Sequence, residues 1–469
     1  MRLGQEKMGG ADLSANAIFQ PLHRRRMYQP FHGQVRSHPF AARQRYVEAE
    51  VEESHRSGIS SPPRNPTICT TKTRNAFMRW NQTRSLPALL LTTLTLNSSF
   101  VVAEDQTPAL DDFLRETASK VMQENGIAGL SIAITHNGKQ QFYTYGKAVK
   151  DTVQAVTPDT LFELGSISKT FTATLATWAQ ANRQLSLTKR IDTYVPQLRD
   201  TRLGKVPIFH LGTHTAGGFP LQFPDKVQTT GQMMAYFKAW QPNYLPGTHR
   251  SYANPSVGLL GLVAARSMQV PFENAMQQGL FPALGLKNTF LIVPEDQMSR
   301  YAQGYNKLDE PVRVNPGVLA AEAYGVKSSS RDVLSFVEAN MGLGQYDAPL
   351  QQALKDTRTG YFKVGGMTQD LIWEQYPMPV KLDTLLEGNA SNMVLQTQKA
   401  EPITPPLAAQ SNTWVNKTGS TNGFGGYVAF IPEQRLGIVI LANRNYPNEE
   451  RVKLAYRILN QVQCFDCKP

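Results

Sequence analysis

Thr413-Trp-Val-Asn-Lys-Thr-Gly-Ser-Thr-Asn-Gly-Phe-Gly-Gly-Tyr-Val-Ala-Phe-Ile-Pro-Glu-Gln-Arg-Leu-Gly-Ile-Val-Ile-Leu441 decides the fold class. It holds three strand signals, Thr413–Lys417, Tyr427–Ile431 and Leu436–Leu441, the last two joined by the short turn Pro432–Arg435. A parallel crossover needs about a dozen residues or more, so such connections predict antiparallel pairing. Val452, Ala455, Ile458, Leu459 and Val462 follow at helical spacing. The other end of the folded part mirrors this order. Thr107-Pro108 supplies a helix start, and Leu110, Phe113, Leu114, Ala118, Val121 and Met122 keep one apolar face up to Asn125-Gly126. Leu130–Thr135 and Gln141–Tyr145 then flank Asn137-Gly138, a two-residue hairpin turn. Between the ends, roughly 166–300 is helical pattern with Pro- and Gly-rich loops. A long loop region, roughly 280–325, precedes a helix starting near Ser329 and Ser330. The expectation is an α+β fold whose sheet is completed by the N- and C-terminal segments, with no internal repeat.

Composition bounds the function. Of 469 residues, 41% are hydrophobic and 18% charged, which excludes a disordered or fibrous chain. No run of 18 apolar residues predicts a transmembrane helix. The net charge of +11 lies mainly in residues 1–103, which hold 14 Lys and Arg against 6 Asp and Glu, while the remainder holds 34 against 31. A nucleic-acid enzyme more often carries its positive charge on the folded body, so no nucleic-acid partner is expected.

Residues 1–77 offer short charged clusters such as Arg24-Arg25-Arg26 but no core, and read as disorder or as sequence upstream of the true start. Met78-Arg-Trp-Asn-Gln-Thr-Arg84, the apolar Leu86–Leu96 and the small residues of Val101-Val102-Ala103 form a secretory leader. Residues 78–103 are expected to be removed, leaving Glu104 first in a periplasmic protein without a lipid anchor. Cys464 and Cys467 trail the last helix, which suits a tail pair better than a redox motif.

Three short motifs carry chemistry. Ser166-Ile-Ser-Lys169 places a hydroxyl and an amine one helical turn apart. A serine at a helix start has free backbone N–H groups and the positive dipole end beside it, which favour an oxyanion. A desolvated lysine near another cation can accept its proton. The pattern is weak alone, and Ser186-Leu-Thr-Lys189 repeats it as an apparent helix-terminus decoy. Tyr252-Ala-Asn254 offers a phenol and an amide, but Tyr446-Pro-Asn448 has the same form. Lys417-Thr-Gly419 ends a predicted strand, where a small residue lets substrate lie along the edge. In this order and on these elements, the set is far more specific than its members.

The chain resembles the class C serine β-lactamases, over essentially all of 107–462. The resemblance rests on Phe162-Glu-Leu-Gly-Ser-Ile-Ser-Lys169, Thr215-Ala-Gly-Gly-Phe-Pro-Leu-Gln-Phe-Pro-Asp225, Tyr252-Ala-Asn-Pro-Ser256, Glu322-Ala-Tyr-Gly325, Lys417–Pro432 and Leu441-Ala-Asn-Arg-Asn-Tyr-Pro-Asn448. Phe219 stands where the family usually has Leu, and Thr213-His214 where it usually has Ala or Thr followed by Tyr. The resemblance implies a β-lactamase/transpeptidase-like fold, an antiparallel sheet flanked by helices plus an all-helical domain. Residues 104–182 and 271–469 would form the α/β domain and 183–270 the helical one. It implies Ser166 as the acylated nucleophile, with Lys169 and Tyr252 sharing proton transfer and the choice of base left open. Asn254 and Gln222 would meet the side-chain amide of the drug. Lys417 and Thr418 would face its carboxylate, with Gly419, Asn445, Asn448 and Arg451 nearby. The N–H groups of Ser166 and Ser420 would form the oxyanion hole, and Tyr324 an aromatic wall. The expected partner is a small-molecule β-lactam, cephalosporin or penicillin. No metal or cofactor is expected, and the mature chain would be a monomer.

The nearest rival is a D,D-peptidase or penicillin-binding enzyme of the same fold, which would hold the acyl-enzyme. Asn445-Tyr-Pro-Asn-Glu-Glu-Arg451 favours the lactamase. An esterase of the fold often lacks the Lys-Thr-Gly. A non-catalytic peptidoglycan-binding relic conflicts with intact Ser166, Lys169, Tyr252 and Lys417. A Ser-His-Asp hydrolase is poorly supported, since only His136, His210, His214 and His249 follow residue 103 and no Gly-x-Ser-x-Gly occurs.

Overall fold

Leu130, Ile132 and Ile134 alternate with Ser131, Ala133 and Thr135 along strand β1 (Gly129–His136), and the two sets face different layers. The structure is a computed structural model and describes residues 107–466, with side chains from 109 to 464. The expected extension 1–77, the leader 78–103 and Cys467 lie outside the described residues.

The Leu130 face packs with Leu114 and Ala118 of α1 (Thr107–Asn125) and Val452, Ala455 and Leu459 of α9 (Asn448–Asp466). On the opposite face Ser131 Oγ donates to Ser330 Oγ at 2.8 Å and Thr135 Oγ1 to Glu338 Oε1 at 2.5 Å. These partners belong to α6 (Ser330–Asn340), which starts where expected and is capped by the Ser329 side chain. The late strands are longer than expected: β7 is Thr413–Ser420, β8 Gly425–Ile431 and β9 Leu436–Ala442. Tyr427, Ala429 and Ile431 join the α1/α9 layer, while Val428 and Phe430 join the other. A sheet covered on both faces has no solvent side, which is why β8 and β9 read as apolar runs with no polar residue.

The sheet has nine strands, all neighbours antiparallel, in the order β6-β3-β4-β5-β7-β8-β9-β1-β2. Strand β2 (Lys139–Gly146) closes the N-terminal hairpin, with Asn137 and Gly138 both at positive φ as a type I′ turn requires. The terminal segments thus supply five strands and not the whole sheet. Strands β3 (Gly360–Val364), β4 (Met367–Gln369), β5 (Glu374–Pro377) and β6 (Glu401–Leu407) complete it, with helix α8 (Leu382–Gly388) between β5 and β6 in the chain. The 280–325 region is also less irregular than expected, carrying a 3₁₀ helix at Glu295–Arg300 and the short helix α5 (Ala320–Tyr324).

Helix α2 (Ser168–Ala181) packs against α5, α4 (Asn254–Met268) and α7 (Ala348–Asp356). Phe171 stacks on Phe336 of α6 at 4.1 Å, which ties α2 to the sheet layer. The insert between α2 and α4 carries α3 (Thr230–Ala239), whose Thr229 and Gln232 form a reciprocal capping box. All described residues lie within one compact unit.

Candidate active site

Gly165, at φ +52°, turns the chain out of the short strand Phe162–Glu163 into the 3₁₀ turn Gly165–Ile167 that opens α2. A Cβ at Gly165 would lie 2.4 Å from the Ser420 carbonyl oxygen, and one at Gly419 would lie 2.0 Å from the Leu164 carbonyl. Only glycine on both sides lets the Ser166 turn seat directly on the end of β7. The seat brings Ser166 and the Lys417-Thr-Gly segment together from positions far apart in sequence.

Lys169 is fully buried and donates from Nζ to Ser166 Oγ at 2.9 Å and to the Ala323 carbonyl at 2.8 Å. Tyr252, also buried, lies between two ammonium groups: Lys169 Nζ and Lys417 Nζ each sit 5.2 Å from its ring centre. Burial alone would push the phenol up. The two lysines and a hydrogen bond with Ser166 outweigh it and bring Tyr252 down to about 8. Lys169 falls to about 8 because burial disfavours the ammonium; Lys417 adds to the fall, and Tyr252 opposes it. Both candidate bases are thereby placed near neutrality, beside the same hydroxyl.

His214 backs Tyr252, with ring centres 4.4 Å apart. Burial first, then Arg250, Lys169 and Lys417, hold its pKa well below the usual histidine range, so it remains neutral. Its Nδ1 accepts the Ala253 N–H at 3.3 Å, which puts the ring proton on Nε2. Buried Arg250 donates to Glu374 Oε1 at 3.0 Å and to Gln369 Oε1 at 2.6 Å, and its guanidinium lies 5.4 Å from the Tyr252 ring centre. Glu374 is thus a buried counter-charge to this cation cluster.

The remaining expected residues fall into two groups. Asn254 Nδ2 donates to Gln222 Oε1 at 2.9 Å, while Asn254 Oδ1 is buried without a partner among the described residues and is left as an open acceptor. Thr418 and Ser420 lie on β7 with Lys417, and Tyr324 is half-buried at the end of α5. Arg451 is fully buried behind β7. It donates to the Gly419 carbonyl at 2.8 Å, Ser420 Oγ at 2.9 Å and Asn445 Oδ1 at 2.7 Å. Asn448 Nδ2 contacts the Asn389 carbonyl at 3.5 Å. Ser186, by contrast, bonds Thr188 Oγ1 at 3.0 Å in an exposed turn, and Lys189 is exposed.

Sequence reasoning missed several participants. The Ala323 carbonyl, Arg250 and Glu374 reach the site through tertiary contacts that no local pattern announces. His214 was visible only as a departure from the family pattern. A cavity of about 300 Å³ beside Tyr252, lined in part by Leu221, Ser251, Leu395 and Thr397, was not foreseen.

The architecture is the β-lactamase/transpeptidase-like fold, with a serine, two lysines and a tyrosine gathered where α2 meets the sheet. A family model described as Beta-lactamase matches residues 114–463. A β-lactamase of Pseudomonas fluorescens is 54% identical over 346 residues, 74% of this chain and 97% of its own length. A solved "Beta-Lactamase/D-Alanine Carboxypeptidase" from Pseudomonas syringae is 74% identical, covers 77% of this chain and all of its own, and superposes with a TM-score of 0.75. A class C β-lactamase solved in complex with cefoxitin is 50% identical, covers 76% of this chain and 99% of its own, with a TM-score of 0.74. The chain belongs to the β-lactamase family, in its class C branch.

Proposed function

We propose that this enzyme hydrolyses the β-lactam amide of cephalosporins and penicillins through an acyl-enzyme on Ser166. The observation that carries the assignment is the 2.9 Å contact between Lys169 Nζ and Ser166 Oγ, with Tyr252 held between Lys169 and Lys417. Ser166 Oγ adds to the lactam carbonyl carbon while its proton passes to the Lys169–Tyr252 pair. The ring C–N bond breaks, and the nitrogen takes that proton. Water then adds to the ester, giving a proton to the same pair. The acid leaves, and Ser166 recovers its proton. The N–H groups of Ser166 and Ser420 hold the oxyanion, a role favoured by the close seat of Gly165 on Ser420.

Asn254 and Gln222 take the side-chain amide, Lys417 and Thr418 the carboxylate, and Tyr324 walls the cleft. Asn445 and Arg451 act from behind by fixing the end of β7, with Asn448 at the start of α9 beside them. The same reading divides the folded chain into an α/β part, 104–182 and 271–469, and a helical part, 183–270. It places the enzyme in the periplasm after removal of 78–103, as a monomer. N-terminal sequencing of secreted protein should start at or near Glu104; finding residues 1–77 on the active enzyme overturns that processing.

Hydrolysis of a chromogenic cephalosporin, unchanged by a metal chelator, tests the activity. The second reading, a D-alanyl peptidase, draws on the Pseudomonas syringae relative, which carries both activities in its name. A burst of one equivalent with essentially no steady state would select it.

A further inference from the structure

A cavity of about 970 Å³ lies beneath the segment 313–325, and most of its wall is apolar, including Met233, Leu262, Ile292 and Val318. Ile292, at its mouth, is 70% exposed. Glu322 also lines it and is only 7% exposed. The hydrogen bond its carboxyl receives comes from its own backbone N–H, and among the described residues no side chain pairs with it. Glu322 packs where a Cβ on Gly261 of α4 would lie 2.5 Å from its Cγ, so the carboxyl is fixed by shape and not by a partner.

The other charges at this cavity are already engaged or remote. Lys327 Nζ donates to the Leu291 carbonyl at 2.9 Å. Arg313 donates to the Tyr301 carbonyl at 2.8 Å and lies 3.9 Å over the Tyr301 ring. Glu273, exposed at the rim, adds negative charge, and the phenols of Tyr301 and Tyr324 complete the titratable lining. The group left without a counter-charge is therefore an acid in an apolar setting.

We propose that this cavity is a second ligand site, apart from Ser166, for an amphiphile with an apolar body and a protonated amine that pairs with the Glu322 carboxylate. Burial first, then Glu273, raises the empty carboxyl to about 8 against the pull of its own backbone N–H, so the apo protein holds it largely neutral at pH 7. An arriving ammonium favours the carboxylate and releases its proton. The sign follows: binding tightens as pH rises through 8, because the ionised form no longer has to be made. The seat is one residue from the Ala323 carbonyl that Lys169 bonds, and two from Tyr324.

The test is calorimetric titration of the whole protein with hexylammonium, with hexan-1-ol and hexanoate as neutral and anionic counterparts. The expected result is hexylammonium binding about tenfold tighter at pH 9 than at pH 7, with proton release at the lower pH. Hexan-1-ol and hexanoate should bind more weakly. Glu322→Gln keeps the shape of the neutral acid and should weaken hexylammonium about tenfold or more at pH 9. The proposal is overturned by absent binding, by equal or tighter binding of either counterpart, by a flat pH dependence, or by unchanged affinity in a folded Glu322→Gln. Should that variant not fold, the pH and counterpart arms on the unaltered protein still decide.

Discussion

Ser166–Lys169 and Ser186–Lys189 carry the same four-residue pattern, yet one pair is placed for chemistry and the other is surface. Lys169 is stripped of water and bonds Ser166; Lys189 is exposed, and Ser186 turns to Thr188. The two Tyr-x-Asn copies separate just as sharply. Tyr252 and Tyr446 are both buried, but Tyr252 falls to about 8 while Tyr446 is pushed up to about 12. Burial raises both phenols. At Tyr446 one guanidinium opposes it and Glu450 reinforces it, so burial wins; at Tyr252 two ammonium groups and Ser166 reverse it. Spacing nominates a residue, and the charges the fold gathers around it decide what the residue can do.

The comparison breaks most cleanly at the nucleophile. Ser166→Ala should abolish the covalent adduct with a β-lactam in intact-mass spectrometry, and Ser186→Ala should leave it unchanged. An adduct surviving on the Ser166 variant moves the active site. Lys169→Ala should cost turnover at least about 10²–10⁴-fold, the typical worth of a positioned proton carrier, while Lys189→Ala should change it little. Comparable losses at both lysines would mean that bulk charge matters and position does not. Tyr252→Phe should remove most of the steady-state rate, in deacylation or in both steps, as resolved by stopped flow. Tyr446→Phe deletes a buried hydroxyl that lacks a partner among the described residues and should be neutral or mildly stabilising in a thermal melt.

Lys417 sharpens the electrostatic half of the comparison. Its charge lowers both Tyr252 and Lys169, so Lys417→Ala should move the inflection of the pH–rate profile upward whichever group is the base. The sign is fixed: losing a cation disfavours both the phenolate and the neutral amine. The same variant should weaken carboxylate-bearing drugs more than analogues lacking the carboxylate. A downward shift, or equal losses for both analogue types, contradicts the role given to Lys417.

The two ends of the chain were legible in the sequence because their packing is written locally. Asn137-Gly138 sets a hairpin, and Tyr427–Ile431 is apolar at every position because both of its faces are covered. Strands β3 to β6 were not legible. Met367–Gln369 spans three residues, and Glu401–Leu407 contains Pro402, Pro405 and Pro406, which read as loop. Proline is tolerated there because β6 is an edge strand that pairs on one side only. The site divides similarly. Ser166, Lys169, Tyr252 and Lys417 sit in motifs, whereas Glu374 and the Ala323 carbonyl acquire meaning only when β5 and α5 arrive beside them. Arg451 was found by motif, but its burial was not legible: five acceptors, the Gly419, Gly426 and Tyr446 carbonyls, Ser420 Oγ and Asn445 Oδ1, seat it behind β7.

The smallest expected effect concerns the amides of the two Tyr-x-Asn copies. Asn254 spends its Nδ2 on Gln222 and leaves Oδ1 buried and unpaired. Such an acceptor is costly to keep empty, and a drug's side-chain N–H would satisfy it. Asn448 instead sits at the start of α9 and contacts the Asn389 carbonyl. Asn254→Ala should therefore raise KM about two- to tenfold, one net hydrogen bond, for cephalosporins bearing the acylamino group, and leave KM for 7-amino analogues nearly unchanged. Asn448→Ala should treat the two substrate types alike. Steady-state kinetics on one matched pair of substrates decides it. A uniform rise for Asn254→Ala would mean that Asn254 only holds Gln222 and the start of α4. A selective rise for Asn448→Ala would place the amide-reading acceptor on the wrong copy.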